Sequence, residues 1–187
     1  MSFDPAGVQT RAELDEFYAV EDPWAYDSTP DDHARVARLL SALPPRPPGR
    51  TLDIGCGNGF VTARLPGREV VGVDLSAAAI EHARRRVPST ETRKVRFEQE
   101  SIFTLRPEDL GGVFDLVVIT GVLYPEYVGG GFSVVDEVVR RLLAPQAIVA
   151  TVHIDERSSH RLPFTTLSVG VEPYRDSFAR LEIFQGP

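Results

Sequence analysis

Cysteine is almost missing from this chain of 187 residues: Cys56 stands alone, so no disulfide can form within it. A lone thiol suits a reducing compartment. Positive charge is also in short supply, with 20 Lys and Arg against 27 Asp and Glu, a formal net charge of −7. A generic binder of nucleic acid or of an anionic membrane surface needs phosphate-neutralising charge, which this composition lacks. No apolar run is long enough to span a bilayer, and the opening MSFDPAGVQTRAELDEF carries no apolar signal core. Gly-Lys-Ser/Thr does not occur, which excludes a phosphate-cradling P-loop. No spacing of His, Cys, Asp or Glu reads as a metal site, and no repeat or low-complexity tract is present. The expectation is a cytoplasmic protein of one domain over 1–187, with no nucleic-acid or membrane partner. The densest basic stretch, ARRR at 83–86, reads as the solvated face of a helix.

Apolar residues make up 42% and charged residues 25%, enough for one real core. Residues 9–20 are weakly helical. EDPWAYDSTPDD then puts Trp24 and Tyr26 in a loop bracketed by prolines. Val36, Leu39, Leu40 and Leu43 recur at i, i+3, i+4 and i+7, the signature of a helix with one buried stripe. Asp31 or Asp32 can cap its start, and Pro44 with Pro45 ends it. PPRPPG at 44–49 is a stiff linker, closing an N-terminal lid region over 1–49.

From residue 50 strand-like and helix-like stretches alternate. RTLDI, EVVGVDL, VRFEQ, FDLVVIT and AIVATVHI read as strands. Helices are expected at about Phe60–Leu65, over SAAAIEHARRRV with Ser76 as N-cap, and over FSVVDEVVRRLLAP. In the last, Val134, Val135, Val138, Val139, Leu142 and Leu143 are placed on one side. FDLVVIT and AIVATVHI are almost wholly apolar, as for strands of a parallel sheet covered on both faces. The fold class is therefore α/β, a doubly wound, mostly parallel sheet over 50–187. TTLSVGV and FARLEIF, separated by the turn-prone EPYRDS, add an antiparallel strand pair at one edge.

One loop asks for a ligand. In TLDIGCGNG a strand ends on Asp53, and Gly55, Gly57 and Gly59 then bare the backbone at the carboxyl edge of the sheet, where open α/β folds bind. A dinucleotide fingerprint G-x-G-x-x-G requires glycine at 60, where this chain has Phe60. S-adenosylmethionine has no phosphate to cradle, and asks for an acid at the end of the next strand to take its ribose hydroxyls. Asp74, about 20 residues beyond Asp53, stands there.

LDIGCGNGFVTARL, VVGVDLS, VRFEQESIF and FDLVVITGVLYP resemble, in order and spacing, the successive motifs of class I S-adenosylmethionine-dependent methyltransferases, over roughly residues 50–154. DPWAYDST and YRDSFARLEIF further resemble the nodulation-protein-S-like branch, which N-methylates an amino sugar. The resemblance implies S-adenosyl-L-methionine as cofactor, with Asp53 and the backbone of Gly55, Cys56 and Gly57 on its methionine end. It implies Asp74 on the ribose and Leu75 beside the adenine. Ser101, followed by Ile102, stands where the family offers an acid to the adenine amino group, with Glu100 adjacent. Thr120 and Gly121 would face the methyl donor, Arg35 would pair with the cofactor carboxylate, and Trp24 would close the pocket.

Each assignment has a plainer alternative. Asp53 and Asp74 could merely cap helices, Cys56 fill a loop, Trp24 pack, Arg35 sit at the surface and Ser101 be structural. An amine acceptor must arrive unprotonated, and a hydroxyl usually needs a base. His153, at the end of AIVATVHI, is the candidate base by its position and its near-neutral titration. Its alternative is a structural hydrogen bond under the pocket. Tyr124, the second catalytic candidate, would serve as a base lining the acceptor site, or else pack there. A small or medium-sized acceptor, such as an amino sugar, is the implied substrate. The competing readings are a catalytically silent binding subunit and a nicotinamide-dependent oxidoreductase.

Overall fold

Strands β1 (Arg50–Ile54), β2 (Glu69–Asp74), β3 (Lys94–Gln99), β4 (Phe114–Thr120) and β5 (Leu143–Ile154) run parallel in a computed structural model that describes residues 8–45 and 48–187. The sheet is completed by β6 (Thr165–Tyr174) and β7 (Ser177–Gln185), giving the order β3-β2-β1-β4-β5-β7-β6. The last strand inserts antiparallel between β5 and β6. The predicted doubly wound sheet and its C-terminal antiparallel pair are both present. Leu52, Val71, Val117, Ile119 and Val149 of the inner strands are fully buried, as both covered faces of a parallel sheet require. β3 keeps only Phe97 buried and carries the charged Lys94, Arg96 and Glu98, in keeping with an edge strand.

The covering helices follow from their stripes. α1 (Arg11–Phe17) opens with a capping box between Thr10 and Glu13, and α2 (Pro30–Ala42) buries Val36 and Leu39. α3 (Ala77–Arg86) starts at Ser76, whose hydroxyl accepts from the Ala79 amide at 3.1 Å, a cap worth about 1 kcal/mol. α4 (Pro125–Val128), a single turn that the sequence reading missed, precedes α5 (Phe132–Leu142).

Three local expectations need correction, and a fourth lies partly outside the described residues. The expected helix at 60–65 is one 3-10 turn, Thr62–Arg64, cut short by Pro66, which has no N–H to continue it. Val134 is 46% exposed, because the buried stripe of α5 is Val135, Val138, Val139 and Leu142. Neither Asp31 nor Asp32 caps α2: Thr29 is its N-cap, without a side-chain bond, and Pro30 fills the first turn. The linker assigned to 44–49 includes residues 46 and 47, outside those described.

Strands on either side of the β1–β4 junction connect in opposite directions, which opens a crevice at their carboxyl ends. The N-terminal segment crosses that crevice and is pinned on three sides. The Ser76 hydroxyl donates to Asp15 at 2.7 Å, Arg86 holds Asp27 through two bonds of 2.7 Å, and the Arg175 guanidinium donates to the Trp24 carbonyl at 2.7 Å. The basic run 83–86 is therefore more than a solvated face, since Arg84 and Arg86 bond Phe97 and Asp27.

Candidate active site

The glycine loop spends its amides on its own scaffold. The N–H groups of Gly55 and Cys56 both donate to the Val73 carbonyl, at 2.8 and 3.0 Å, and that of Gly57 donates to an Asp74 carboxylate oxygen at 2.9 Å. What is left to offer a ligand is carbonyl oxygen. A pyrophosphate wants amide hydrogens, whereas an ammonium wants acceptors, so the loop fits the amino-acid end of S-adenosylmethionine and not a dinucleotide. Asp53, Cys56, Gly57, Gly59 and Arg35, expected around the cofactor, do not line the cavity. Only Gly55 of the loop reaches the cavity.

Much of what crowds the glycines is the chain itself. At Gly55 (φ 74°) an added Cβ would lie 2.1 Å from Val122 Cγ2, and at Gly57 (φ 52°) it would lie 2.6 Å from the Tyr18 hydroxyl. Side chains at either position would be strained in backbone as well as blocked in space. Gly59 lets α3 approach, with Ala83 against it. Cys56 packs with Ile80, Ala83, Val87 and Phe97, and burial pushes its thiol pKa up, so it is inert.

The crevice holds a cavity of about 440 Å³, within the range of about 300–1,000 Å³ usual for small-ligand sites. Its floor comes from the ends of the parallel strands: Gly55 after β1, Asp74 and Leu75 after β2, Ser101 and Ile102 after β3, and Thr120 after β4. Its roof comes from the N-terminal segment, including Leu14, Phe17, Tyr18 and Trp24. Eight of the expected site residues thus meet in one space, Gly121 and Trp24 among them. Asp74 is half-buried, and its two oxygens accept from the Gly57 and Ser76 amides. Burial raises its pKa against the pull of those two bonds. Each oxygen keeps acceptor capacity for a hydroxyl. Glu100 and Ser101 line the cavity together. The Ser101 hydroxyl accepts from the Phe103 amide, while Glu100 accepts from Thr104.

Asp53 lies beneath the loop, fully buried. One oxygen accepts from the Thr62 hydroxyl at 2.6 Å and the other has no partner. Burial pushes its pKa up to about 7. A buried carboxylate with one oxygen unpaired is costly unless a cation comes near; Asp53 itself does not line the cavity.

A second, smaller cavity of about 120 Å³ adjoins the first and shares Trp24, Tyr26, Thr120, Gly121 and Tyr127 with it. Arg35, Tyr124 and His153 line this space and not the first. Arg35 bonds Asp32 at 3.2 Å, and its Nε has no partner. Asp32, fully buried, also accepts from the Tyr174 hydroxyl at 2.7 Å and from Arg175 at 2.6 Å. That cluster went unnoticed in the sequence, although Asp32, Val36 and Leu39 share one helical stripe.

His153 does not fit the part of general base. Its Nε2 accepts from the Leu123 amide at 3.1 Å, which leaves the ring proton on Nδ1. Burial, then the Arg180 and Arg35 charges, drives its pKa down to about 3. It is a strut that offers a donor, as in the plainer alternative. The Tyr124 hydroxyl accepts from the Ile154 amide at 2.8 Å, and burial raises its pKa too.

A crevice at the switch point, with the Asp74 carboxylate on one side and the glycine loop on the other, is the setting in which the likeness to known proteins falls. Residues 47–172 match the family model described as "Methyltransferase domain", and the chain belongs to that family. Among curated relatives, a trans-aconitate 2-methyltransferase from Paracidovorax citrulli is 32% identical over 163 residues, covering 83% of this chain and 58% of that protein. The Methylobacterium nodulans counterpart is 34% identical over 139 residues, 71% of this chain and 50% of its own length. The chain thus spans about half the length of those relatives. In fold it is similar to the N-methyltransferase NodS from Bradyrhizobium japonicum in complex with S-adenosyl-L-homocysteine, with a TM-score of 0.81, 20% identity and 95% and 98% of the two chains covered. Magnesium protoporphyrin IX methyltransferase from Synechocystis with bound S-adenosylmethionine matches at a TM-score of 0.68 and 16% identity, over 100% and 99% of the two chains.

Proposed function

We propose that this protein is an S-adenosylmethionine-dependent methyltransferase acting on the oxygen or nitrogen of a small or medium-sized metabolite. The observation that carries the reading is the turned-in glycine loop between an unpaired Asp53 oxygen and the Asp74 carboxylate, a combination that suits an ammonium at one end and a ribose at the other. Asp53 and the Gly55 carbonyl would hold the amino-acid end, Asp74 the ribose hydroxyls, and Leu75, Ser101 and Ile102 the adenine. Arg35, with its free Nε, is proposed for the cofactor carboxylate. When bound, the cofactor supplies an electrophilic methyl group on a sulfonium.

The chain's own contribution is placement. Thr120 and Gly121 belong to both cavities, so the acceptor end would meet the donor end there. Gly121 has no atom within 4 Å of the place its Cβ would occupy, which leaves room for the acceptor at the junction. Holding two reactants in line is worth ~7–11 kcal/mol of barrier, and the aromatic roof keeps water out. The smaller cavity has room for roughly four water volumes, which supports the end of a small molecule as its occupant. A catalytically silent subunit would have no use for that second cavity, and this favours an enzyme.

The test is mass spectrometry of the protein purified under native conditions. Retained S-adenosylmethionine or S-adenosylhomocysteine is expected. Retention of a nicotinamide dinucleotide instead would defeat the reading.

A further inference from the structure

The two edges of the sheet are built differently. β3, at one end, carries Lys94, Arg96 and Glu98, charges that discourage another strand from pairing there. β6, at the other end, opens with TTLSVGV, a run without a charge. Among the described residues seven large apolar side chains stand exposed, and four of them, Leu167, Val169, Val171 and Phe178, belong to the β6–β7 hairpin. A lone molecule shields such an edge with charge, proline or a covering segment. Here Glu172 and Pro173 stand only at the far end of the strand, and the irregularity between Thr166 and Ser168 lies before the stretch from Ser168 to Val171.

The hairpin geometry decides which backbone groups are free. Arg175 and Asp176 form a two-residue turn, with Arg175 at a positive φ of 51° and Tyr174 facing Ser177 across it. In such a hairpin the flanking pair exchanges both of its hydrogen bonds, and the next pair points its N–H and C=O outward. Bonding therefore alternates along β6: Glu172, Gly170 and Ser168 bond to β7, whereas Pro173, Val171 and Val169 face out. Pro173 has no N–H to leave unpaired at its outward position, and its carbonyl accepts from Arg38 of α2. The outward amides and carbonyls of Val169 and Val171 bond no other described segment. The two valine side chains share one face of the sheet with Glu182 and Arg180, their partners across β7.

We propose that β6 pairs with β6 of a second copy of this chain, antiparallel about a two-fold axis at Gly170, so that two seven-stranded sheets join edge to edge. In that register Val169 of each copy faces Val171 of the other and the pair exchanges both bonds, so every outward amide of the stretch finds a carbonyl. Gly170 faces its own counterpart at a non-hydrogen-bonded position, the closest approach in an antiparallel ladder. Nothing lies within 4 Å of the place its Cβ would occupy. Glu172, the only charge in the strand, falls opposite Ser168. The two Glu172 residues then stand about 13 Å apart along the strands, beyond the ~8 Å screening length at physiological ionic strength. A charge-free strand is complementary to itself and offers no charge pattern for an unlike protein to read, which makes a second copy the occupant. β6 ends on Tyr174 and the turn after it carries Arg175, both in the lining of the smaller cavity, so the pairing braces one wall of the site in each copy.

The test is sedimentation equilibrium of the whole protein, without ligand, from about 1 µM to about 1 mM, the span of weak specific complexes. The parent is expected to pass from monomer to dimer within that range. Val169→Lys and Val171→Lys each put a charge on the pairing edge and should move the midpoint to a concentration higher by about tenfold or more. Val113→Lys, at an exposed position before β4, should leave it where it is. Thermal unfolding of the lysine variants should match the parent, because the replaced side chains are about half exposed. Gly170→Cys should give a disulfide-linked dimer under mild oxidation, since cysteines at a non-hydrogen-bonded pair lie within bridging distance. The parent should give none, because Cys56 is buried. Exchange of the Val169 and Val171 amides should slow as protein concentration rises. A parent that stays monomeric, a dimer that both lysine variants leave unmoved, or Gly170→Cys that stays uncrosslinked under oxidation would each overturn the pairing.

Discussion

Asp53 and His153 are buried titratable groups that pull stability in opposite directions with pH. Asp53, raised to about 7, keeps its proton in the folded state over a range where the unfolded chain has lost it. Its stabilisation is present at low pH and is lost as pH climbs from about 4 to about 7. His153, lowered to about 3, stays neutral in the folded state where the unfolded chain is protonated. Its contribution grows as pH climbs from about 3 to about 6.5. Asp53→Asn should therefore gain on the parent protein in urea unfolding between pH 5 and 7.5, on the order of 2–4 kcal/mol. A constant difference across that range would mean that Asp53 ionises normally. His153→Phe strands the Leu123 amide and should cost about 1–3 kcal/mol of stability, with kcat within about tenfold of the parent. A general base would cost about 10²–10⁴-fold in kcat, so the turnover number decides between strut and base.

At the scale of elements, the roof over the crevice is held down by polar contacts. Arg86 carries it from α3 through the paired bonds to Asp27, which lower the Asp27 carboxyl pKa. Partly exposed pairs of this kind are worth about 0.2–1 kcal/mol. Arg86→Ala should speed dissociation of S-adenosylhomocysteine about twofold to fivefold, read by stopped-flow fluorescence of Trp24, while the unfolding midpoint barely moves. An unchanged dissociation rate would mean that the roof is held elsewhere.

The elements also show how far the sequence could be read. Strands of the inner sheet were legible because their apolar runs had one use, burial on both faces. Ser76 and the stripe of α3 were legible from capping and period alone. The turn at 60–65 was misread because a short apolar run before Pro66 looks the same as a helix start. Asp53, Gly55 and Asp74 announced themselves by order and spacing. The Asp32–Arg35–Arg175 cluster joins residues more than 140 positions apart, and no local pattern records that Arg175 folds back onto α2. Likewise, the occupied Nε2 of His153 depends on the path of the chain after β4, which a one-dimensional reading of ATVHIDE does not contain.

Taken whole, the molecule is a sheet that brings four strand ends to one crevice and lays its own N-terminal segment across it. The function proposed for it follows from one claim: the ends of β1 and β2 together grip an adenosyl amino acid, the first through acceptors for its ammonium and the second through Asp74 on its ribose. Calorimetry of S-adenosylhomocysteine with the parent, Asp74→Asn and Asp74→Ala tests this most directly, with thermal unfolding run in parallel to show that each variant is folded. The account predicts tight binding to the parent, weakened in both variants by about 1.5–3 kcal/mol. Equal affinity in folded variants, or tighter binding of NADH than of S-adenosylhomocysteine by the parent, would contradict it.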